Sequence, residues 1–199
     1  MKNTALIIIG ILLAVTAETL FATPAATPNE IYGQIALGDK GAAGEAVITL
    51  EGDKKSMPMQ KAAVDQRSKA FVPHVSVITR GTTVQFPNND TIFHNVFAYY
   101  QAKKFDLGMY PRGAVKAVTF DKPGLVALLC NVHSDMSAYI MVVDTPYYAV
   151  ADKQGHFHIP NVPAGNYTVH VWHESGAETT QSLTVNADTK PLRLSIKRK

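Results

Sequence analysis

Cys130, the only cysteine of the 199-residue chain, stands at the end of an apolar run, with His133 three residues on and Met136 three further. This C-x2-H-x2-M spacing puts a thiol, an imidazole and a thioether on one tight loop. A second imidazole, His94, opens a strand-like run after the Pro87–Asp90 turn. Two imidazoles, one thiolate and a weak thioether are the donor set that copper uses for electron transfer. Thiolate and imidazole together suit both Cu(I) and Cu(II), and the weak axial thioether helps to set the potential. Taken singly, His94 and Met136 would read as packing residues. The ordered set around one thiol is what points to a single copper ion held by His94, Cys130, His133 and Met136.

A lone cysteine excludes an internal disulfide and leaves inert burial, an intermolecular disulfide, catalysis or metal binding. The compartment sharpens that choice. Lys2 is followed by an apolar stretch, Ala5–Val15, too short to span a bilayer comfortably, and then by small residues at Ala17, Ala22 and Ala25. That order predicts a signal peptide at residues 1–22, cleaved after Ala22 with Ala17 as the alternative, and a periplasmic or secreted mature protein. No later segment is long and apolar enough to cross a membrane. Loss of Lys2 and Glu18 leaves the net charge at +3. Lysines and arginines are scattered apart from Lys103–Lys104 and the Lys197–Lys199 tail, which gives no argument for a nucleic-acid partner.

The elements that must position the donors are strands. After a Pro/Ala/Thr linker at Thr23–Asn29, Ile31–Leu37 and Ala46–Leu50 alternate in polarity around a Gly/Asp/Lys-rich turn. Strand-like runs follow at Phe71–Thr79, Thr82–Phe86, His94–Tyr99, Ala114–Phe120, Gly124–Leu129 and Ala138–Val143. The series closes with His156–Ile159, Tyr167–Trp172, Ser182–Val185 and Leu192–Ile196. Turn signals such as Tyr110-Pro111-Arg112-Gly113 and Asp121-Lys122-Pro123-Gly124 separate them. No segment sustains a helical period beyond one short candidate at Ala102–Leu107. The pattern predicts an all-β protein built from two sandwiches.

Phe86-Pro87-Asn88, Phe93-His94-Asn95-Val96 and Pro123-Gly124 leading into the Cys130–Met136 loop together resemble the blue-copper cupredoxins, over roughly Met59–Asp144. The short ligand loop resembles that of amicyanin rather than the longer one of plastocyanin. The resemblance implies a Greek-key β-sandwich with copper at one end, His94, Cys130 and His133 as equatorial ligands and Met136 as the axial one. It also implies that Asn95 ties the ligand loops together, and that His133 lies nearest solvent, with Phe93, Pro87 and Val132 as candidates for an apolar rim. His74 is read as a non-ligand and Met109 as a packing residue. Met57 and Met59 are too few for a Met-rich Cu(I) site.

Ile31-Tyr32-Gly33 with Gly44–Leu50, and Asp152–Phe157 with Val162–Trp172, resemble the first and later strands of a carboxypeptidase regulatory-like (transthyretin-like) domain. The resulting division is discontinuous. Residues 23–54 and 145–199 make one sandwich, and a cupredoxin domain at 55–144 is inserted between them. Phe157, Tyr167 and Trp172 are expected to face inward. Alternate spacing puts His156 and His158 on one strand face, where they are read as surface histidines rather than a second metal site, and no H-E-x-x-H run suggests a zinc peptidase.

These readings converge on an exported electron-transfer protein with one Cu(I)/Cu(II) site and no enzymatic activity of its own. Proteins of this architecture resemble those labelled methylamine-utilisation or plastocyanin-like, which implies a redox partner such as a c-type cytochrome or a dehydrogenase. Two other readings stay open at this point: a copper-handling protein without a redox role, and an interaction module with an incidental thiol.

Overall fold

The computed structural model describes residues 28–52, 57, 60–99 and 102–197. The expected signal peptide, most of the linker and Met59 lie outside them. Among the described residues no helix is long and apolar enough to cross a membrane.

The described chain is nearly all β. Strands β1 (Asn29–Leu37) and β2 (Val47–Glu51) come first, with one 3-10 turn at Gly38–Lys40 between them. Short β3 (Lys61–Ala63), β4 (Asp65–Arg67) and β5 (Ala70–Val72) lead into β6 (Val75–Thr79), β7 (Thr83–Pro87) and β8 (His94–Ala98). The middle is completed by β9 (Phe105–Tyr110), β10 (Val115–Thr119), β11 (Gly124–Leu129) and β12 (Ser137–Val143). The last strands are β13 (Tyr148–Val150), β14 (His156–Val162), β15 (Gly165–Trp172), β16 (Glu178–Val185) and β17 (Leu192–Ile196).

Burial divides these strands between two hydrophobic cores. Sheets ordered β14-β1-β17 and β13-β2-β15-β16 supply one, packing Ile31, Ile35, Ile48 and Leu50 against Phe157, Val169, Val171 and Ile196. Sheets ordered β10-β7-β3 and β6-β12-β11-β8-β9 supply the other, built on Phe86, Phe120, Val126, Leu128 and Ile140. Each fully buried side chain of this size contributes about 1.5–3 kcal/mol by leaving water. Alternation explains most of the pattern: in β12, Ala138 and Ile140 point into the second core while Tyr139 and Met141 point out of it. β2 is buried along nearly its whole length, because it is paired on both edges by β13 and β15 and covered on both faces.

Gly155 is required by close packing. A Cβ at Gly155 would stand 2.3 Å from the Ile35 carbonyl oxygen, and its φ of +77° already favours glycine. The Ile35 amide donates to the Gly155 carbonyl at 2.8 Å, so β1 meets this turn without room for a side chain.

Four expectations need correction. The short helix at Ala102–Leu107 is absent, and Phe105 onward forms β9, paired with β8. The single run Phe71–Thr79 is two strands broken at Pro73 and His74. Met109 is not a packing residue; it is 60% exposed. Trp172 faces out of the first core, since Tyr167, Val169 and Val171 take the inward positions of β15 and leave Thr168, His170 and Trp172 on the other face. Its ring meets Tyr139 of β12 edge-on, with 5.2 Å between centroids.

Candidate metal centre

His94 begins β8 and Cys130 follows β11, and these are neighbouring strands of the five-stranded sheet. His133 and Met136 lie on the loop from β11 to β12, where the Met136 amide donates to the His133 carbonyl at 3.1 Å. That turn folds the loop back and buries Met136, which is 1% exposed and packs in the same core as Cys130. One nitrogen from each of His94 and His133 and the sulfur of Cys130 all lie within 4.8 Å of one another. Among the described residues this is the one group of three or more His, Cys, Asp or Glu side chains whose donor atoms meet in this way.

The loop that presents His94 is fixed by buried amides. Asn88 donates through Nδ2 to the carbonyls of Ile92 (2.9 Å) and Tyr110 (3.0 Å), while its Oδ1 accepts the Asp90 amide at 3.0 Å. Gln66 donates to the Pro87 carbonyl at 3.0 Å and to the Tyr110 hydroxyl, which in turn donates to the Phe86 carbonyl at 3.0 Å. Burial pushes the Tyr110 phenol up to about 12, against the opposing hydrogen bond from Gln66. These buried hydrogen bonds hold the loop in one conformation, because each donor is costly to expose without a partner, although Gln66 Oε1 is itself buried without one.

Asp90 sets the state of His94. Its Oδ2 accepts the Lys69 amide at 2.7 Å and faces His94 Nε2 at 3.0 Å, while Oδ1 accepts the Thr91 amide at 2.7 Å. The Lys69 amide above all, then the His94 ring and the Thr91 amide, outweigh desolvation and hold the Asp90 carboxyl down at about 2. An ionised carboxylate only accepts, so the proton of a neutral His94 sits on Nε2. The lone pair is then on Nδ1, which lies 3.8 Å from the Cys130 sulfur. This is the carboxylate–histidine arrangement that orients metal-binding imidazoles.

The other donors are similarly set. Asn95 accepts the Asn131 amide at 2.7 Å through Oδ1, which ties β8 to the Cys130 loop as the resemblance implied. The Val132 amide points at the Cys130 sulfur from 3.4 Å. His94 is fully buried and Cys130 nearly so, whereas His133 is half-buried and reaches toward solvent. His133 Nδ1 is nevertheless shielded from water and has no hydrogen-bond partner. Phe93 and Val132, next in the chain to His94 and His133, are 53% and 42% exposed.

The remaining histidines do not join this cluster. His74 bonds the Ser137 carbonyl and Glu174, His156 faces Asp152, and His158 pairs with Glu30 and stacks on Tyr32. Sequence reasoning missed Asp90, the contact of the Val132 amide with the Cys130 sulfur, and the Gln66–Tyr110 pair. For Asp90 a signal exists: an acid four residues before a candidate ligand, in the turn that leads to it.

A family model described as polysaccharide lyase family 4, domain II, matches residues 112–191, less than half of the chain and drawn from both cores. No curated protein matches. Among solved structures, the chain is similar to a purple cupredoxin from Nitrosopumilus maritimus at 20% identity, covering 42% of this chain and 100% of that one, with a TM-score of 0.39. It is also similar to an amicyanin variant in its reduced state, at 18% identity, covering 48% and 98%, with a TM-score of 0.39. A copper-containing nitrite reductase from Thermus scotoductus SA-01 matches at 24% identity, covering 49% of this chain and 25% of that one, with a TM-score of 0.41.

Proposed function

We propose that this chain is an exported carrier of single electrons, in which His94, Cys130 and His133, with Met136 as a weaker donor, would hold one copper ion. The observation that carries the reading is the meeting of three soft and borderline donors from His94, Cys130 and His133, together with His133 Nδ1, a buried nitrogen left without a partner. A buried polar atom in that state costs about 1–3 kcal/mol, and ligation to a metal removes the cost. Thiolate with two imidazoles selects copper over harder cations. The donor set and the orphaned nitrogen therefore fit the group that the sequence implies.

Bound there, copper supplies one-electron chemistry between Cu(I) and Cu(II). The protein's own part is to hold the donors still. Asp90 keeps the His94 proton on Nε2 and so keeps Nδ1 free. Asn95 locks the Asn131 backbone, and the Val132 amide donates toward the Cys130 sulfur and helps to fix its position. Burial of His94 and Cys130 keeps water from them, while half-exposed His133 gives the shortest way to the surface. Phe93 and Val132 make an apolar rim there, suited to brief contact with a redox protein such as a c-type cytochrome or a dehydrogenase.

The two hydrophobic cores support a modular reading: a cupredoxin-like sandwich over residues 55–144, inserted in a carboxypeptidase regulatory-like sandwich made from 23–54 and 145–199. Export to a periplasm, after cleavage near Ala22, belongs to the same reading. Voltammetry of the copper-loaded chain tests the carrier role. One reversible one-electron wave is expected; stoichiometric copper without such a wave would reassign the protein to copper handling.

A further inference from the structure

His74 lies in the bend between β5 and β6, and its ring reaches in two directions. Nδ1 is 3.0 Å from the Ser137 carbonyl oxygen at the start of β12, within the second core's own sheet. Nε2 is 2.6 Å from Oε2 of Glu174, in the turn between β15 and β16 of the first core's sheet. The contact is built into its surroundings. Tyr139 donates its amide to the His74 carbonyl at 2.8 Å and places its ring edge-on to the imidazole at 5.6 Å, and the same tyrosine ring meets Trp172.

Both atoms that the imidazole meets are acceptors. A carbonyl has no proton to give, and neither has an ionised carboxylate. A neutral imidazole carries one N–H and can serve only one of them; the imidazolium serves both. The charges around the ring agree with this. Burial pulls its pKa down, but the hydrogen bond and charge of Glu174, the Ser137 carbonyl and the more distant charge of Glu45 before β2 outweigh burial and leave it above 6.5. From β12 the facing titratable group is the uncharged Tyr139. His173, beside Glu174 in the chain, turns its Nδ1 to Ser175 instead.

We infer that His74 and Glu174 form an acid-strengthened latch that pins the β15–β16 turn of one sandwich to the β5–β6 bend of the other. Because the folded-state pKa is raised, the latch is complete below about pH 6.5 and is released as pH climbs through the higher folded value. It closes next to a cleft of about 750 Å³ between the two sandwiches, whose walls include Trp172, His170 and Thr180 on one side and Leu125 and Met141 on the other. Release would therefore loosen the seam beside that cleft while leaving both cores intact.

The test uses the full chain without metal, so it stands apart from the copper reading. Ring-nitrogen NMR of His74 and amide exchange at Tyr139 and His173 are followed from about pH 5 to 9, the range in which histidines titrate. Both ring nitrogens should be protonated at the acid end, and the ring should titrate above 6.5. Amide protection, corrected for intrinsic exchange, should fall about twofold to fivefold through that titration, the weight of one partly exposed ion pair. Glu174 is surface-exposed, so Glu174→Gln leaves the fold in place; it should lower the His74 titration and flatten the exchange profile. A His74 that titrates at or below 6.5, exchange indifferent to its titration, or an unchanged profile in Glu174→Gln would overturn the latch.

Discussion

Replacing Asp90 with asparagine should weaken copper binding by about tenfold to a hundredfold, the loss that follows removal of an outer partner of a ligating histidine. The structure shows why an amide cannot substitute. Asp90 meets only donors: the Lys69 amide and His94 Nε2 at one oxygen, the Thr91 amide at the other. Asparagine offers one acceptor and one NH2. With its oxygen toward His94, the NH2 opposes the Thr91 N–H and leaves that donor unsatisfied, which costs about 1–3 kcal/mol of fold stability. Flipped, the NH2 faces His94 Nε2 and favours the tautomer with the proton on Nδ1, where it blocks the lone pair that faces Cys130. Either arrangement harms the site, one through folding and the other through the ligand. A chelator-competition titration reads the affinity, and urea unfolding of the metal-free chain reads the stability. Unchanged values in both would refute the role given to Asp90.

Tyr110→Phe should abolish an alkaline weakness. The native phenol titrates at about 12 against about 10 when unfolded, so the fold loses up to about 3 kcal/mol between those values, and urea midpoints measured across that range should fall in the parent and not in the variant. Gly155→Ala should destabilise by about 1–3 kcal/mol or more, because its Cβ would meet the Ile35 carbonyl at 2.3 Å and its φ is unfavourable for alanine; a denaturation midpoint within error of the parent would count against that packing. Met136→Leu conserves buried volume and should keep the copper stoichiometry while shifting the reduction potential. An unshifted wave would remove Met136 from the proposed donor set.

The parts of the fold that were legible are those with period-two burial between strong turns. β11 and β17 fall where alternation and flanking Gly or Pro put them. The β4–β5 hairpin was hidden because its two-residue turn is Ser68-Lys69, both at positive φ, without the Asn-Gly pair that usually announces such a turn. β9 was hidden by the charged Lys103–Lys104 and by Gly108 at φ +62°, which break the alternation. Trp172 was misread for its size, although the spacing of Tyr167, Val169 and Val171 already put it on the other face. At the site, the donors showed in the sequence because four residues of three uncommon types fall in order. Of their supports only Asn95 showed, since Asp90, Gln66 and Tyr110 act through contacts between segments that are 20 or more residues apart, or through turn geometry that many aspartates share.

The most direct measurement is the visible and EPR spectrum of the mature protein titrated with Cu(II), beside Cys130→Ala. One equivalent should give an intense thiolate-to-copper charge-transfer band and a narrow copper hyperfine splitting, both absent from the variant. Copper bound without that band, or a band that survives loss of the thiol, would contradict the site assigned to His94, Cys130 and His133.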